Sequence, residues 1–174
     1  MDLALLVIRI VIGLLLVGHG AQKLFGVLGG PGLKGTADMF DAIGLRPGHL
    51  HARAAGTAEI VGGTLLALGL LTPVGAALVI AVMVAAIVTV HVPKGIWNSV
   101  GGYEYHLVLI AGAFALAGVG PGDWSLDEAL RIDWSSTGWA LAALGAGLIG
   151  GLGAVIGGRM TPAHDRRDAP PHPA

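Results

Sequence analysis

Residues 52–92 read ARAAGTAEIVGGTLLALGLLTPVGAALVIAVMVAAIVTVHV, which is two apolar runs joined at Leu71, Thr72 and Pro73. A helix that spans a membrane needs about 20 mostly apolar residues, and the runs 52–71 and 74–92 each have about that length. A link this short makes the two helices antiparallel neighbours. Pro73 suits the first turn of the second helix, where a missing N–H costs nothing. The stretch therefore predicts a helical hairpin in a membrane.

The composition extends this prediction to the whole chain. Of its 174 residues 54% are hydrophobic and only 12% are charged, about half the usual share of 25% in soluble domains. The aliphatic residues come in long blocks and lack the alternating or amphipathic patterns of soluble folds. We therefore expect an integral membrane protein with membrane lipid around it.

Charge and cysteine content exclude several functions. The formal net charge is −1, so no basic excess points to nucleic acid, and we expect no nucleic-acid partner. The chain has no Cys, which removes disulfides, thiolate metal sites and cysteine-based redox chemistry. If the protein takes part in redox metabolism, a bound cofactor or a partner must carry the electrons.

Three further apolar segments have the character of spanning helices, at 3–21, 105–119 and 138–158. We expect the first to be a spanning helix and not a signal peptide, because Arg9 interrupts it and no basic region precedes it. The expected fold is all-α, a four-helix membrane bundle with an additional C-terminal transmembrane helix. The expected organisation is a bundle over 1–126, an acidic loop and extra helix over 127–158, and a disordered polar tail over 159–174.

The connection after the first segment predicts one short helix. Glycines and Pro31 break any helix through Gly32, and Thr36 then has the chemistry to cap a helix over 37–43 that Gly44 closes. One side of this helix is apolar, which favours a position on the membrane surface. A plain surface loop is the alternative.

Basic residues predict the orientation. If all five segments span, eight Lys and Arg residues fall on one side of the membrane and only Arg131 on the other, with Arg9 inside the first segment. The side rich in basic residues is normally cytoplasmic. We therefore predict a multi-pass cell-membrane protein with its N-terminus outside and its C-terminus cytoplasmic. If 138–158 lies on the surface instead, the tail moves to the other side.

This predicted topology places polar side chains near the cytoplasmic ends of the helices. The expected ligand-binding residues are His19, Lys23, Glu59, His91, Trp97, Asn98, Tyr103 and Glu104. Imidazole, phenol and ammonium groups donate hydrogen bonds to carbonyl oxygens, and an indole stacks on rings, so a small quinone-like or lipid-like molecule is a chemically sensible ligand. Interfacial anchoring by the aromatic residues is the plainer interpretation. We expect no metal, because no tight ligand spacing supports Zn²⁺ or iron; haem ligation would require His19 and His91 to point into one gap.

A charge inside the membrane needs a partner. Arg9 and Glu59 differ in depth by about five residues, roughly 7–8 Å, which an arginine side chain can largely cover. The sequence therefore predicts an ion pair between Arg9 and Glu59. Its simpler role is to clamp the first two helices together, and its alternative role is to tune a ligand site.

Pairs of glycines four residues apart mark the last segment. Gly147 with Gly151, and Gly153 with Gly157, give small faces on which helices can approach closely. Such a face serves either to dock the helix on the bundle or to form a homo-oligomer with a second copy.

Four stretches of the chain together carry a family resemblance. They are RIVIGLLLVGHGAQKLFGVLGGPGLKGT, AGTAEIVGGTLLALGLLTPVGA, VHVPKGIWNSVGGYEYHLVL and GPGDWSLD. Over roughly 6–126 the chain resembles the DoxX family of small bacterial membrane proteins. The resemblance implies a four-helix membrane bundle in the inner membrane. The family motif residues present here are Arg9, His19, Lys23, Glu59, His91, Trp97, Asn98, Tyr103 and Glu104.

The family name derives from association with quinone-linked oxidoreductases, and some relatives are thought to act with redox enzymes in oxidative-stress or thiol metabolism. The resemblance therefore implies a component of membrane-associated redox metabolism that binds a quinone or scaffolds soluble redox proteins on the cytoplasmic face. It implies an accessory subunit as readily as an enzyme. The alternatives are a small-molecule or lipid transporter or binding protein, and a non-catalytic membrane anchor.

Overall fold

The computed structural model describes residues 2–161, which are helical without any strand. The α-helices are α1 (Asp2–Phe25), α2 (Gly32–Ala42), α3 (Gly48–Leu68), α4 (Thr72–Ala86), α5 (Glu104–Val119), α6 (Leu126–Ala129) and α7 (Thr137–Met160). A π-helix, Ile87–His91, and a 3₁₀ turn, Val92–Lys94, extend α4. The predicted disordered tail, 159–174, lies outside the described residues except for its first three, of which Arg159 and Met160 belong to α7.

The length and composition of the helices fit a membrane protein. Among the described residues, three helices are long and apolar enough to cross a bilayer: α1, α4 with its extension to Lys94, and α7. The apolar α5 has 16 residues, fewer than the roughly 20 of a typical span. The 21-residue α3 is long enough but carries Arg53 and Glu59. All five predicted segments are thus helices, and three of them have the full character of spanning helices.

The bundle is formed by α1, α3, α4 and α5. The most extensive contact is between α1 and α3, α4 packs on both α3 and α5, and α5 closes the ring on α1. The predicted hairpin is confirmed: α3 ends at Leu68, Gly69 and Leu71 make the turn in the left-handed region, and Pro73 lies in the first turn of α4. The additional helix α7 packs on α4 and α5, which confirms the predicted four-helix core with an extra C-terminal helix.

Two glycines permit the close approach of α1 and α3. A methyl group on Gly13 would overlap the carbonyl oxygen of Gly63, and one on Gly63 would lie 2.6 Å from the carbonyl oxygen of Gly13. The two helices therefore touch backbone to backbone, as is common between helices in membranes.

The glycines of α7 divide into two groups. Methyl groups on Gly147 or Gly151 would collide with Ile80 or with the backbone at Ala81 of α4, so this pair docks α7 on the bundle. Around Gly153 and Gly157 there is open space. Pairing with a second copy through that face stays a prediction.

The short helix α2 begins at Gly32 and not at 37, so the predicted cap at Thr36 is wrong. Thr36 is fully buried inside the helix. Its hydroxyl lies within hydrogen-bond distance of two carbonyl oxygens, those of Gly32 (2.8 Å) and Lys23 (3.2 Å). These contacts tie α2 to the end of α1. Phe40 of α2 is buried in a small cluster with Ala52 and Val155, which belong to α3 and α7.

Candidate functional site

A cavity of about 600 Å³ lies at the end of the bundle that contains Lys23, and we call it the Lys23 cavity. Its volume is within the range of small-molecule sites. Helices α1 to α5 and α7 all contribute to its wall. The polar residues that line it are His19, Lys23, His51, Glu59, Thr89, His91, Asn98, Tyr105 and His106. The rest of the wall is apolar and includes Phe40 of α2 and Val155 of α7.

An ion pair closes one side of the cavity. The Nζ of Lys23 lies 2.7 Å from each carboxylate oxygen of Glu59. The side chain of Glu59 is 3% exposed and that of Lys23 is 23% exposed. The carboxylate therefore depends on Lys23 for its countercharge, whereas Lys23 reaches the surface of the protein.

The predicted ion pair between Arg9 and Glu59 is wrong. Gly20 of α1 lies beside Gly56 and Ile60 of α3, so Glu59 is level with Gly20, about 16 Å along the helix from Arg9. Side chains on a helix also tilt toward its N-terminus. This tilt directs Lys23 toward Glu59 and directs Arg9 away from it.

Arg9 lies instead near the opposite end of the bundle, where it is 1% exposed. Its Nη2 donates a hydrogen bond to the carbonyl oxygen of Trp124. Asp127, which is also buried, supplies a favourable electrostatic interaction. The carboxylate of Asp127 accepts hydrogen bonds from the N–H of Leu71 (2.7 Å) and from the N–H and hydroxyl of Thr72 (3.1 and 2.7 Å). This network belongs to the packing of the far end and not to the cavity.

Four aromatic rings follow one another along the cavity. The centroids of His19 and Tyr105 are 6.4 Å apart and those of Tyr105 and His106 are 5.8 Å apart, both edge to face. The rings of His106 and His91 are tilted toward each other at 4.1 Å. The cavity therefore offers ring faces as well as polar atoms.

The hydrogen bonds of these rings show which polar atoms remain free. The Nδ1 of His91 donates to the carbonyl oxygen of Gly101 at 2.7 Å, which leaves its Nε2 for other contacts. The Nδ1 of His106 is buried and has no hydrogen-bond partner among the described residues. A buried polar atom without a partner costs about 1–3 kcal/mol, so a ligand that bonds to His106 would relieve this cost.

The backbone of α4 changes where it borders the cavity. It continues as the π-helix Ile87–His91, and the hydroxyl of Thr89 donates to the carbonyl oxygen of Ala85 at 2.7 Å. Single π turns inside helices are frequent at functional sites because they reorient side chains. Here the π turn holds His91, which lines the cavity. Apolar periodicity alone gives no signal for it.

Five of the eight predicted ligand residues line the cavity: His19, Lys23, Glu59, His91 and Asn98. The other three, Trp97, Tyr103 and Glu104, do not line it, and Trp97 is 66% exposed. Tyr105 and His106 line it although they were absent from the predicted ligand set. Positions 103 and 105 point to different sides because α5 begins at Glu104 and successive helical residues turn by about 100°.

The site as a whole combines polar side chains with a mostly apolar wall. Its nitrogen and hydroxyl groups come from Lys23, Tyr105, Thr89, Asn98 and four histidines. Within residues 2–161, no three His, Asp or Glu side chains are grouped to hold a metal ion. The arrangement suits an amphipathic molecule with hydrogen-bond acceptors on a ring and an apolar substituent.

Comparisons with known proteins identify relatives of the chain. The model of the DoxX family matches residues 4–92. The Uncharacterized membrane protein Rv3486 of Mycobacterium tuberculosis is 34% identical over 134 residues, which is 71% of this chain and 78% of that protein. The Putative oxidoreductase CatD of Bacillus subtilis is 29% identical over 117 residues, which is 67% of this chain and 81% of that protein. No solved structure matches the chain.

Proposed function

Because this chain belongs to the DoxX family of membrane proteins, we propose that it is a component of membrane redox metabolism that binds a quinone in the Lys23 cavity. One observation carries the proposal: a cavity with a mostly apolar wall is also lined by a row of neighbouring rings and by a cationic donor. The printed name of the relative CatD, a putative oxidoreductase, supports a redox role.

The residues of the cavity fit a quinone in three ways. His106 Nδ1 has no hydrogen-bond partner in the described part of the chain, and a quinone carbonyl oxygen can accept a hydrogen bond from it. Tyr105 and His91 add a hydroxyl and a free ring nitrogen on the same wall. The apolar residues from α2 and α7, including Phe40 and Val155, provide a surface for a hydrophobic tail.

A bound quinone supplies two-electron redox chemistry that this chain, which has no Cys, cannot supply with a dithiol. In this proposal the protein binds and orients the ring, and a soluble redox partner exchanges the electrons. Lys23 and Glu59 keep a charge pair beside the ring without exposing a lone charge to the bilayer.

Transport is the weaker alternative. A transporter needs a polar route between the two faces of the membrane. The polar lining of the Lys23 cavity lies at one end of the bundle, and the other end holds the buried side chains of Arg9 and Asp127.

The hydroxyl of Tyr105 provides the test of quinone binding. We expect Tyr105→Phe to weaken quinone binding about fivefold, since one hydrogen bond contributes about 1 kcal/mol. Tyr103→Phe is the matched control. It also removes a tyrosine hydroxyl, but from a side chain that does not line the cavity. The measurement is the quinone content of organic extracts of purified protein, followed by titration with a soluble quinone. Wild-type protein that neither carries nor binds quinone contradicts the proposal, as does an equal loss in both variants.

We also propose that the Lys23 cavity faces the cytoplasm, with the N-terminus outside. Ser99 lies at the cavity end, between α4 and α5, and Ser135 precedes α7 at the Arg9 end. Since the chain has no Cys, Ser99→Cys and Ser135→Cys each create a single thiol. A membrane-impermeant maleimide should label intact cells of the Ser135→Cys variant, and should label Ser99→Cys only after lysis. The reverse pattern would overturn the orientation.

A further inference from the structure

A second concave surface lies on the outer face of α3, where it meets α4. It is an open groove of about 460 Å³, which we call the Arg53 groove. Its lining residues are Leu50, Arg53, Ala54, Thr57, Ala58 and Val61 of α3 and Leu78 of α4. Ala54 and Ala58 also line the Lys23 cavity, so the groove lies directly against the cavity wall.

The groove has the length of one membrane leaflet. Its α3 residues recur at intervals of three and four, so they form one continuous stripe along the helix. From Leu50 to Val61 the stripe rises by about 16 Å, and half of the roughly 30 Å hydrocarbon core is about 15 Å. Leu50 is 56% exposed and Val61 is 42% exposed, so both apolar ends of the stripe are open to the surroundings of the protein.

One cation lies in this stripe, about one turn from its Leu50 end. Arg53 is exposed, is the only charged residue of the groove, and makes no ion pair or hydrogen bond through its side chain to any other described residue. It lies five residues after the start of α3 at Gly48. In a bilayer a long basic side chain near a helix end extends toward the headgroups, so its guanidinium is placed to meet a phosphate.

We propose that the Arg53 groove binds one anionic phospholipid, with its phosphate at Arg53 and an acyl chain along Ala54, Ala58 and Val61. The small side chains of the two alanines leave room for a chain, and the guanidinium matches phosphate in charge and in hydrogen-bond geometry. The bound lipid would cover the membrane side of the Lys23 cavity. The proposal does not depend on the ligand of that cavity.

Native mass spectrometry of the full chain tests this proposal. The protein is equilibrated in detergent micelles that contain equal amounts of phosphatidylglycerol and phosphatidylcholine, and the bound lipids are counted. We expect the wild type to retain mainly phosphatidylglycerol. Arg53→Gln should reduce the preference about fivefold, the equivalent of about 1 kcal/mol for one basic residue near a charged headgroup. Arg53→Lys should keep most of it.

Two further variants separate a specific site from general attraction. Arg159→Gln removes an exposed cation from the last turn of α7 and should leave the preference unchanged. Thr57→Trp places a large ring in the groove from an exposed position that does not line the Lys23 cavity, so it should reduce the binding of either lipid while Arg53 remains. Equal retention of both lipids by the wild type would overturn the proposal. So would an unchanged preference in Arg53→Gln, unchanged lipid binding in Thr57→Trp, or an equal loss in Arg159→Gln.

Discussion

Replacing Lys23 with methionine is expected to lower the free energy of unfolding by about 3–5 kcal/mol, the usual effect of removing one partner of a buried ion pair. The loss arises mainly at Glu59, whose side chain is 3% exposed and, within residues 2–161, receives hydrogen bonds only from Lys23. Without Lys23 this carboxylate either remains charged in an apolar surrounding or takes up a proton, and both outcomes cost free energy.

The double variant Lys23→Met/Glu59→Met should recover much of the loss, because it removes both charges and leaves apolar side chains of similar length. Lys34→Met is the matched control. Lys34 makes an ion pair with Asp38 of the same 2.7 Å length, but both side chains are largely exposed, and exposed pairs contribute little. Unfolding in detergent can be followed by tryptophan fluorescence. A Lys23→Met variant as stable as the wild type would show that Glu59 does not need this partner.

Replacing Asp127 with alanine should also lower the free energy of unfolding by several kcal/mol, since a hydrogen bond to a charged group contributes about 1.5–3 kcal/mol. Asp127 is 2% exposed and holds the start of α4 through three hydrogen bonds to Leu71 and Thr72. Leu71 has a φ of 47°, a left-handed conformation that costs a non-glycine residue about 1–2 kcal/mol. Loss of the carboxylate leaves the donors of Leu71 and Thr72 unsatisfied. It also removes the negative charge that interacts favourably with Arg9.

Asp127→Asn retains an acceptor oxygen without the charge, so its stability should lie between those of the wild type and Asp127→Ala. Asp133→Ala provides the control: Asp133 is exposed and interacts with Ser135 in the same loop. The free energy of unfolding of Asp133→Ala should differ from that of the wild type by at most about 0.5 kcal/mol. Equal stability of Asp127→Ala and Asp133→Ala would refute the structural role assigned to Asp127.

The existence of the helices could be predicted more accurately than their ends. The apolar blocks identify every long helix, because a bilayer requires about 20 apolar residues in a row. The apolar pattern places the ends too early or too late where polar residues continue a helix: α1 extends to Phe25 and α3 begins at Gly48. In both places contacts between elements hold polar residues in the helix. Lys23 near the end of α1 pairs with Glu59, and the N–H of Gly48 donates to the carboxylate of Asp41 at 2.7 Å.

For the candidate site, the sequence predicts which residues lie at one end of the bundle but not how each helix is rotated. The antiparallel order of the helices predicts that His19, Lys23, Glu59 and His91 share one end of the bundle, and the structure places all four around one cavity. The sequence of α5 does not predict how the helix is rotated about its axis, since the helix is apolar on all sides after its first turn. Tyr105, and not Tyr103, therefore faces the cavity only because of how α5 packs.

The amino-acid sequence by itself determined that this chain is a membrane-embedded bundle of antiparallel helices, because the length of an apolar block and the length of a link are local properties. Only the tertiary structure decided which charges meet. Lys23 and Glu59 are 36 residues apart in the chain, and Asp127 and Leu71 are 56 apart. Every helical side chain tilts toward the N-terminus of its helix, but which side chains then meet depends on the register of the packed helices. No local pattern determines that register.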